Sequence, residues 1–170
     1  LPGLEGFDKP EGLTVNLSYW VFPALRELGR VDPAPEWEVL AGSGLAMLKY
    51  SYFVRWGLPP DWLRLGERVV PAEGFPPRFG YDAVRIPVYL LWSRQETPAL
   101  LRPYREFWAF FAGARALPAW TNLNDDGVDG GNVFIEHPGQ HPKRGTVGVS
   151  AVAVTRLAVD EDDLLLAFGG

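Results

Sequence analysis

Between Phe79 and Trp92 the chain reads Phe-Gly-Tyr-Asp-Ala-Val-Arg-Ile-Pro-Val-Tyr-Leu-Leu-Trp, an apolar stretch that holds one acid and one base. A charge in such surroundings is costly unless it is paired or hydrogen-bonded. Asp82 and Arg85 are three apart and share a face of a helix; Tyr81 and Arg85, four apart, can also meet. Pro87 clashes with the preceding turn unless it lies in the first turn of a helix. The spacing therefore predicts a helix from about Val84 to about Arg94, with Asp82 at its entrance, where free amides and the helix dipole favour a carboxylate. Two roles fit these residues. Asp82 is a helix cap paired with Arg85, or it is a general base that Arg85 and Tyr81 orient.

Other groups that could do chemistry are less complete. Asn122-x-Asn124-x-Asp126-Gly127 approaches a calcium-binding loop, but its first ligand position is Asn and its twelfth is Val133 rather than Glu. A polar turn, or a loop presenting side chains to a cleft, fits better. His137 and His141 are separated by Pro138 and Gly139, so they are not a helical metal pair. Ser18, Ser43, Ser93 and Ser150 lack the context of a nucleophile. Gly42-Ser43-Gly44 has no third glycine and no strand before it, and reads as close helix packing rather than a phosphate loop. What remains is carboxylates and aromatics, the set that hydrolysis of a glycosidic bond needs without metal or cofactor.

The elements that must position these residues read as helix after helix. Residues 1–13 are rich in Gly and Pro and read as an irregular lead-in. Ser18 is the expected N-cap of a first helix to about Arg30, with Phe22, Leu25 and Leu28 inward and Tyr19 and Trp20 in its first turn. A second helix runs from about Glu36 to Trp56. Residues 62–65 and 67–70 form a short hairpin around Gly66. Thr97 caps a further helix, with Pro98 at its first position, to about Gly113. Residues 114–143 form a long, mostly irregular connection, a fifth helix spans about Gly145 to Val159, and residues 160–170 begin another. No alternation of strand and helix is visible, so the expected fold class is all-α, with one domain over residues 1–170.

The totals exclude several classes. At 170 residues and 47% apolar content the chain is long and apolar enough for a real core. A net charge of −5, with no run of Lys or Arg, argues against nucleic acid. There is no Cys, hence no disulfide framework and no Cys-based metal site. No apolar run is long enough for a membrane span, and no export signal opens the chain. Leu1 stands where an initiator Met would, which reads as a processed product or a piece of a longer chain. Seven Trp and 14% aromatics either fill a large helical core or line a groove.

Asn16-Leu17-Ser18-Tyr19-Trp20 with Pro23-Ala24-Leu25, and Gly80-Tyr81-Asp82-Ala83-Val84-Arg85-Ile86-Pro87, resemble family 8 glycoside hydrolases, which include the endoglucanases of bacterial cellulose synthesis. Leu58-Pro59-Pro60-Asp61-Trp62 and Asp163-Leu164-Leu165 fit the same pattern. Leu17 departs from the Pro usual in the family. The resemblance spans nearly the whole chain but only about the C-terminal half of the family's catalytic domain. It implies about half of an (α/α)6 barrel and endo-acting, inverting hydrolysis of β-1,4-glucan. It matches Asp82 to the general base, with Arg85 keeping it ionised, Tyr81 helping to position the water and Tyr19 lining the same centre. Trp20 and Trp62 become candidates for stacking on sugar. Inversion needs a second carboxylic acid; in the family it is a Glu of the N-terminal half, and no segment here matches its motif. The implied partners are a β-glucan polysaccharide and the missing N-terminal half, with no cofactor and no metal, and the implied place is the periplasm or outside the cell. The other readings are a glucan-binding or scaffold protein without the acid, and another α/α-toroid enzyme such as a polysaccharide lyase.

Overall fold

Valine, leucine and threonine in Gly-Leu-Thr-Val, following the turn at Pro10-Glu11, suit a pleated surface better than a loop. In the computed structural model, which describes residues 6–112, 116–128 and 133–134, they form a strand. β1 (Asp8–Lys9) and β2 (Gly12–Val15) pair antiparallel, and β2 pairs with β3 (Leu63–Leu65), which pairs with β4 (Val69–Pro71). The lead-in is thus not irregular, and the fold is helix-rich with a small sheet rather than purely α. The expected hairpin is present, with Leu63 opposite Pro71 and Leu65 opposite Val69. Val15 lies opposite Leu63 and both are buried. Gly12 has φ +137°, and a Cβ there would run into the backbone of Leu65, so the tight approach of β2 to β3 requires glycine.

After β2 a 3₁₀ turn, Leu17–Tyr19, precedes α1 (Phe22–Val31), which starts with Pro23 in its first turn. Ser18 does not cap α1, whose N-cap position is Val21 with no side-chain cap bond; Asn16 caps the 3₁₀ turn, its side chain accepting from the Ser18 amide. Phe22 is buried and Leu25 is partly buried, whereas Leu28 is exposed. α2 (Glu36–Lys49) ends before the expected Trp56, because the chain turns sharply through Val54 and Gly57, both at positive φ, and closes on itself with a Phe53–Leu58 bridge. At Gly44 a Cβ would overlap the Trp20 ring, which is the close packing read from the small residues of α2.

β5 (Arg78–Phe79) leads into α3 (Arg85–Ser93), with Pro87 in the first turn as expected. α3 ends at Arg94 in the left-handed conformation, with Arg94 N–H bonding Leu91 C=O and Gln95 N–H bonding Leu90 C=O. α4 (Pro98–Phe110) is capped by Thr97, whose hydroxyl accepts from the Leu100 amide at 3.3 Å. β6 (Ala116–Leu117) pairs with β8 (Val133–Phe134), and β7 (Thr121–Asn122) pairs with β5. The core runs from Val15, Leu17 and Phe22 through Leu58, Leu63 and Phe79 to Ile86, Leu90 and Phe107. The helices expected over 145–159 and 160–170, and His137 and His141, lie outside the described residues.

Candidate active site

The strand pairing of β2 with β3 sets residues 16–19 beside residues 61–62. The chain just before α3 then meets both. Asp61 is buried, and its Oδ1 accepts from three backbone amides, those of Gly80 (3.0 Å), Asp82 (3.1 Å) and Ala83 (2.9 Å). Its Oδ2 lies 3.4 Å from Arg78 Nε. The carboxylate that ties down the turn leading into α3 is therefore Asp61, brought from 21 residues away, while the N-cap position of α3 itself is Val84, with no side-chain cap bond. A carboxylate at this place suits the free amides and the dipole. Asp82 is left free of capping duty, which corrects the reading of it as the helix cap.

Freed from capping, the Asp82 side chain is about one-third exposed. Oδ1 accepts from the Arg85 guanidinium, so the expected pair forms although Asp82 precedes the helix. Oδ2 accepts from Asn16 Nδ2 at 2.9 Å. Arg85 also donates to Ser18 Oγ at 3.0 Å, and Ser18 Oγ donates to Asn16 Oδ1 at 2.7 Å. Asp82, Asn16, Ser18 and Arg85 thus close a ring of hydrogen bonds, with Asn16 and Ser18 buried. Such a ring holds the carboxylate in one orientation while leaving part of it open to solvent, which lets it accept a proton from water or a ligand hydroxyl.

The aromatic candidates divide. Tyr81 is 60% exposed and lies over Arg78, whose guanidinium carbon is 5.9 Å from the ring centre; Arg85 turns away to Ser18 and Asp82. Tyr19 is 46% exposed and meets Trp62 edge-on at 5.9 Å. Trp62 is half-buried and stacks with Phe75 (4.4 Å) and Phe7 (5.5 Å), so it belongs to an aromatic wall beside the ring. Trp20 is a core residue, which corrects its reading as a sugar platform: it is 5% exposed, its ring lies on Gly44 and its N–H donates to Leu40 C=O at 2.9 Å. The loop after β7 is a polar turn, with Asn122 Oδ1 accepting from Asn124 N–H and Asp125 Oδ1 from Gly127 N–H. Among the described residues no group of three or more His, Cys, Asp or Glu could hold a metal ion, and no helix is long and apolar enough to cross a membrane.

Reasoning from the sequence missed Asn16 and Asp61 as site residues. Each carried a signal. Asn16 and Ser18 have the spacing of a side-chain-to-backbone turn, and Asp61 is a lone acid among Leu58, Pro59, Pro60, Trp62 and Leu63, where an unpaired charge is not tolerated.

Known proteins share this arrangement of chain. The family described as Glycosyl hydrolases family 8 matches residues 1–115. A probable endoglucanase of Novacetimonas hansenii is 38% identical over 126 residues, covering 72% of this chain and 36% of its own length. The crystal structure of an endoglucanase from Komagataeibacter sucrofermentans superposes with a TM-score of 0.74 at 39% identity, over 78% of this chain and 42% of the other. An endo-β-1,4-glucanase of Acetobacter xylinum gives a TM-score of 0.72 at 37% identity, over the same shares of the two chains. The 170 residues span little more than a third of the length of the curated relative, and the match over two-thirds of their own length places this chain in glycosyl hydrolase family 8.

Proposed function

We propose that the chain carries the general base of an inverting, endo-acting β-1,4-glucanase, a cellulase-type glycosidase, and that this base is Asp82. The observation that carries the reading is the Asp82 carboxylate, partly open to solvent yet anchored on both oxygens by Arg85 and Asn16. A water lying against Asp82 attacks the anomeric carbon on the face opposite the glycosidic oxygen. Its O–H bond breaks toward Asp82 as the new C–O bond forms and the glycosidic C–O bond breaks. The departing oxygen takes a proton from a second acid about 6.5–9.5 Å from the first. On this reading that acid is a Glu of the N-terminal half, outside this chain. Tyr19 and Tyr81, both exposed beside the ring, line the path of the sugar and the water, and Trp62 stacks near them. No cofactor takes part in these steps.

On the same reading residues 1–170 are the C-terminal portion of one catalytic domain, and the four helices among the described residues belong to an (α/α)6 barrel. Support comes from the large side chains left on helix exteriors: Val31 of α1, Val39 of α2, Trp92 of α3 and Phe110 of α4 are all more than 60% exposed. Large apolar side chains exposed on every one of these helices fit a surface that the remaining helices of the barrel cover. The chain alone is then catalytically incomplete. A polymeric β-glucan substrate places the enzyme in the periplasm or outside the cell.

The test is reducing-sugar release from carboxymethylcellulose by this chain, by the longest natural form of the protein, and by that form with Asp82→Asn. The expected result is activity in the long form only, lowered about 10³-fold by Asp82→Asn while folding survives. Full activity in the Asp82→Asn protein removes Asp82 from catalysis. Glucan binding without hydrolysis in every form points to a binding module, and a product absorbing in the ultraviolet points to a lyase.

A further inference from the structure

We infer that Asn16 is a positioning residue for the base: its side-chain N–H holds Oδ2 of Asp82 while Arg85 holds Oδ1, which fixes the rotation of the carboxylate and makes Oδ2 the oxygen that takes the proton. The inference rests on the reading of Asp82 as base.

The orientation of the Asn16 amide is settled by chemistry. The Ser18 backbone N–H, 3.0 Å away, can only donate, so the atom facing it is the amide oxygen. Ser18 Oγ, 2.7 Å from the same oxygen, spends its own proton there, because its lone pairs face the Arg85 guanidinium at 3.0 Å. With two donors on its oxygen, the amide must turn its NH₂ to Asp82 Oδ2. Asn16 is fully buried, so water does not compete for these bonds. The two carboxylate oxygens are then unequal. Oδ1 shares a charge-assisted bond with a cation, whereas Oδ2 accepts a neutral N–H, and the charge-assisted bond is the stronger. Oδ2 has a second lone pair and is the more basic oxygen. The proton leaving the attacking water passes to Oδ2, and the water's electron pair forms the bond to the anomeric carbon. The charged groups facing this pair are Arg85 on α3, Asp61 before β3 through the Asp82 amide, and Arg78 on β5 through Asp61.

Asn16→Asp tests this in the longest natural form of the enzyme. The change is isosteric and keeps an acceptor for both Ser18 donors. At a pH where both carboxylates are ionised, position 16 has no donor and repels Oδ2; kcat is expected to fall 10- to 100-fold with KM within twofold of wild type. As pH falls and the pair takes up one proton, an O–H donor returns to position 16. The ratio of variant to wild-type kcat is therefore expected to rise toward low pH. A packing role alone would lower the melting temperature and leave that ratio flat. A flat ratio, or wild-type kcat at every pH, overturns the inference. If Asp82→Asn is fully active, the base assignment itself fails and this inference with it. If Asp82→Asn is inactive and the Asn16→Asp ratio is flat, only the role of Asn16 fails.

Discussion

The ring around Asp82 and the aromatic core under α4 hold the same polypeptide together by opposite means. In the core, Phe107 meets Phe79 at 5.8 Å, Trp56 at 5.5 Å and Phe111 at 5.2 Å, mostly edge to face, and Tyr104 lies 5.9 Å from Phe79. Burial pushes the Tyr104 phenol well above its ordinary range, with Tyr52 adding to the shift, so it stays neutral. This region is held by area and shape, terms that are non-directional and sum over many contacts. The ring is held by a few directional bonds between segments that start at residues 16, 61 and 78. Removing one bond there leaves a buried donor without an acceptor, which costs more than the bond itself contributes. The core can thus exchange apolar side chains of similar volume at modest cost, whereas the ring depends on the identity of each atom.

Breaking each region separately sharpens that contrast. The largest expected effect is Asp82→Asn, a loss of activity of about 10³-fold, equivalent to about 4 kcal/mol of transition-state stabilisation. Its cost to stability should be smaller, about 1–3 kcal/mol, because the new amide NH₂ faces the donor of either Asn16 or Arg85. Phe107→Ala is expected to do the converse, lowering stability by about 3–5 kcal/mol in a denaturant titration, with KM and kcat retained in whatever fraction stays folded. Equal loss of kcat in both variants would erase the distinction. Asp61→Ala should fall between them. It strips the acceptor from three amides, two of them on buried residues, at a cost of roughly 3 kcal/mol. Because one of those amides belongs to Asp82, it should also lower kcat beyond what unfolding explains. Thr97→Ala removes only the cap of α4, and the expected loss is about 1 kcal/mol with kcat unchanged.

Much of the helical order was legible in the chain. Pro87 set the start of α3 to within a residue, and Thr97-Pro98 set the start of α4, because proline and cap chemistry act locally. The hairpin at Gly66 was legible for the same reason. β2 was not. Its four residues sit behind a run of Gly and Pro, and its partner in β3 is some fifty residues away. The end of α2 was overrun as well, since the apolar pattern continues through Tyr52 and Phe53 into a turn that only Val54 and Gly57 reveal by their backbone.

Asp82, Arg85 and their three-residue spacing are a property of the sequence, and so is the proposal of carboxylate chemistry, because no nucleophile, phosphate-loop or metal motif is complete. The tertiary structure alone decided which acid holds the turn before α3 and which stays open. That choice depends on β2 pairing with β3, which carries Asn16 and Asp61 to the same place from distant parts of the chain. Trp20 and Trp62 look alike as residue types, but one packs on Gly44 and the other stands with Tyr19 beside the ring. Local rules act within a turn or two of helix, whereas partners for a buried polar group are chosen among whatever the folded chain brings within hydrogen-bonding reach.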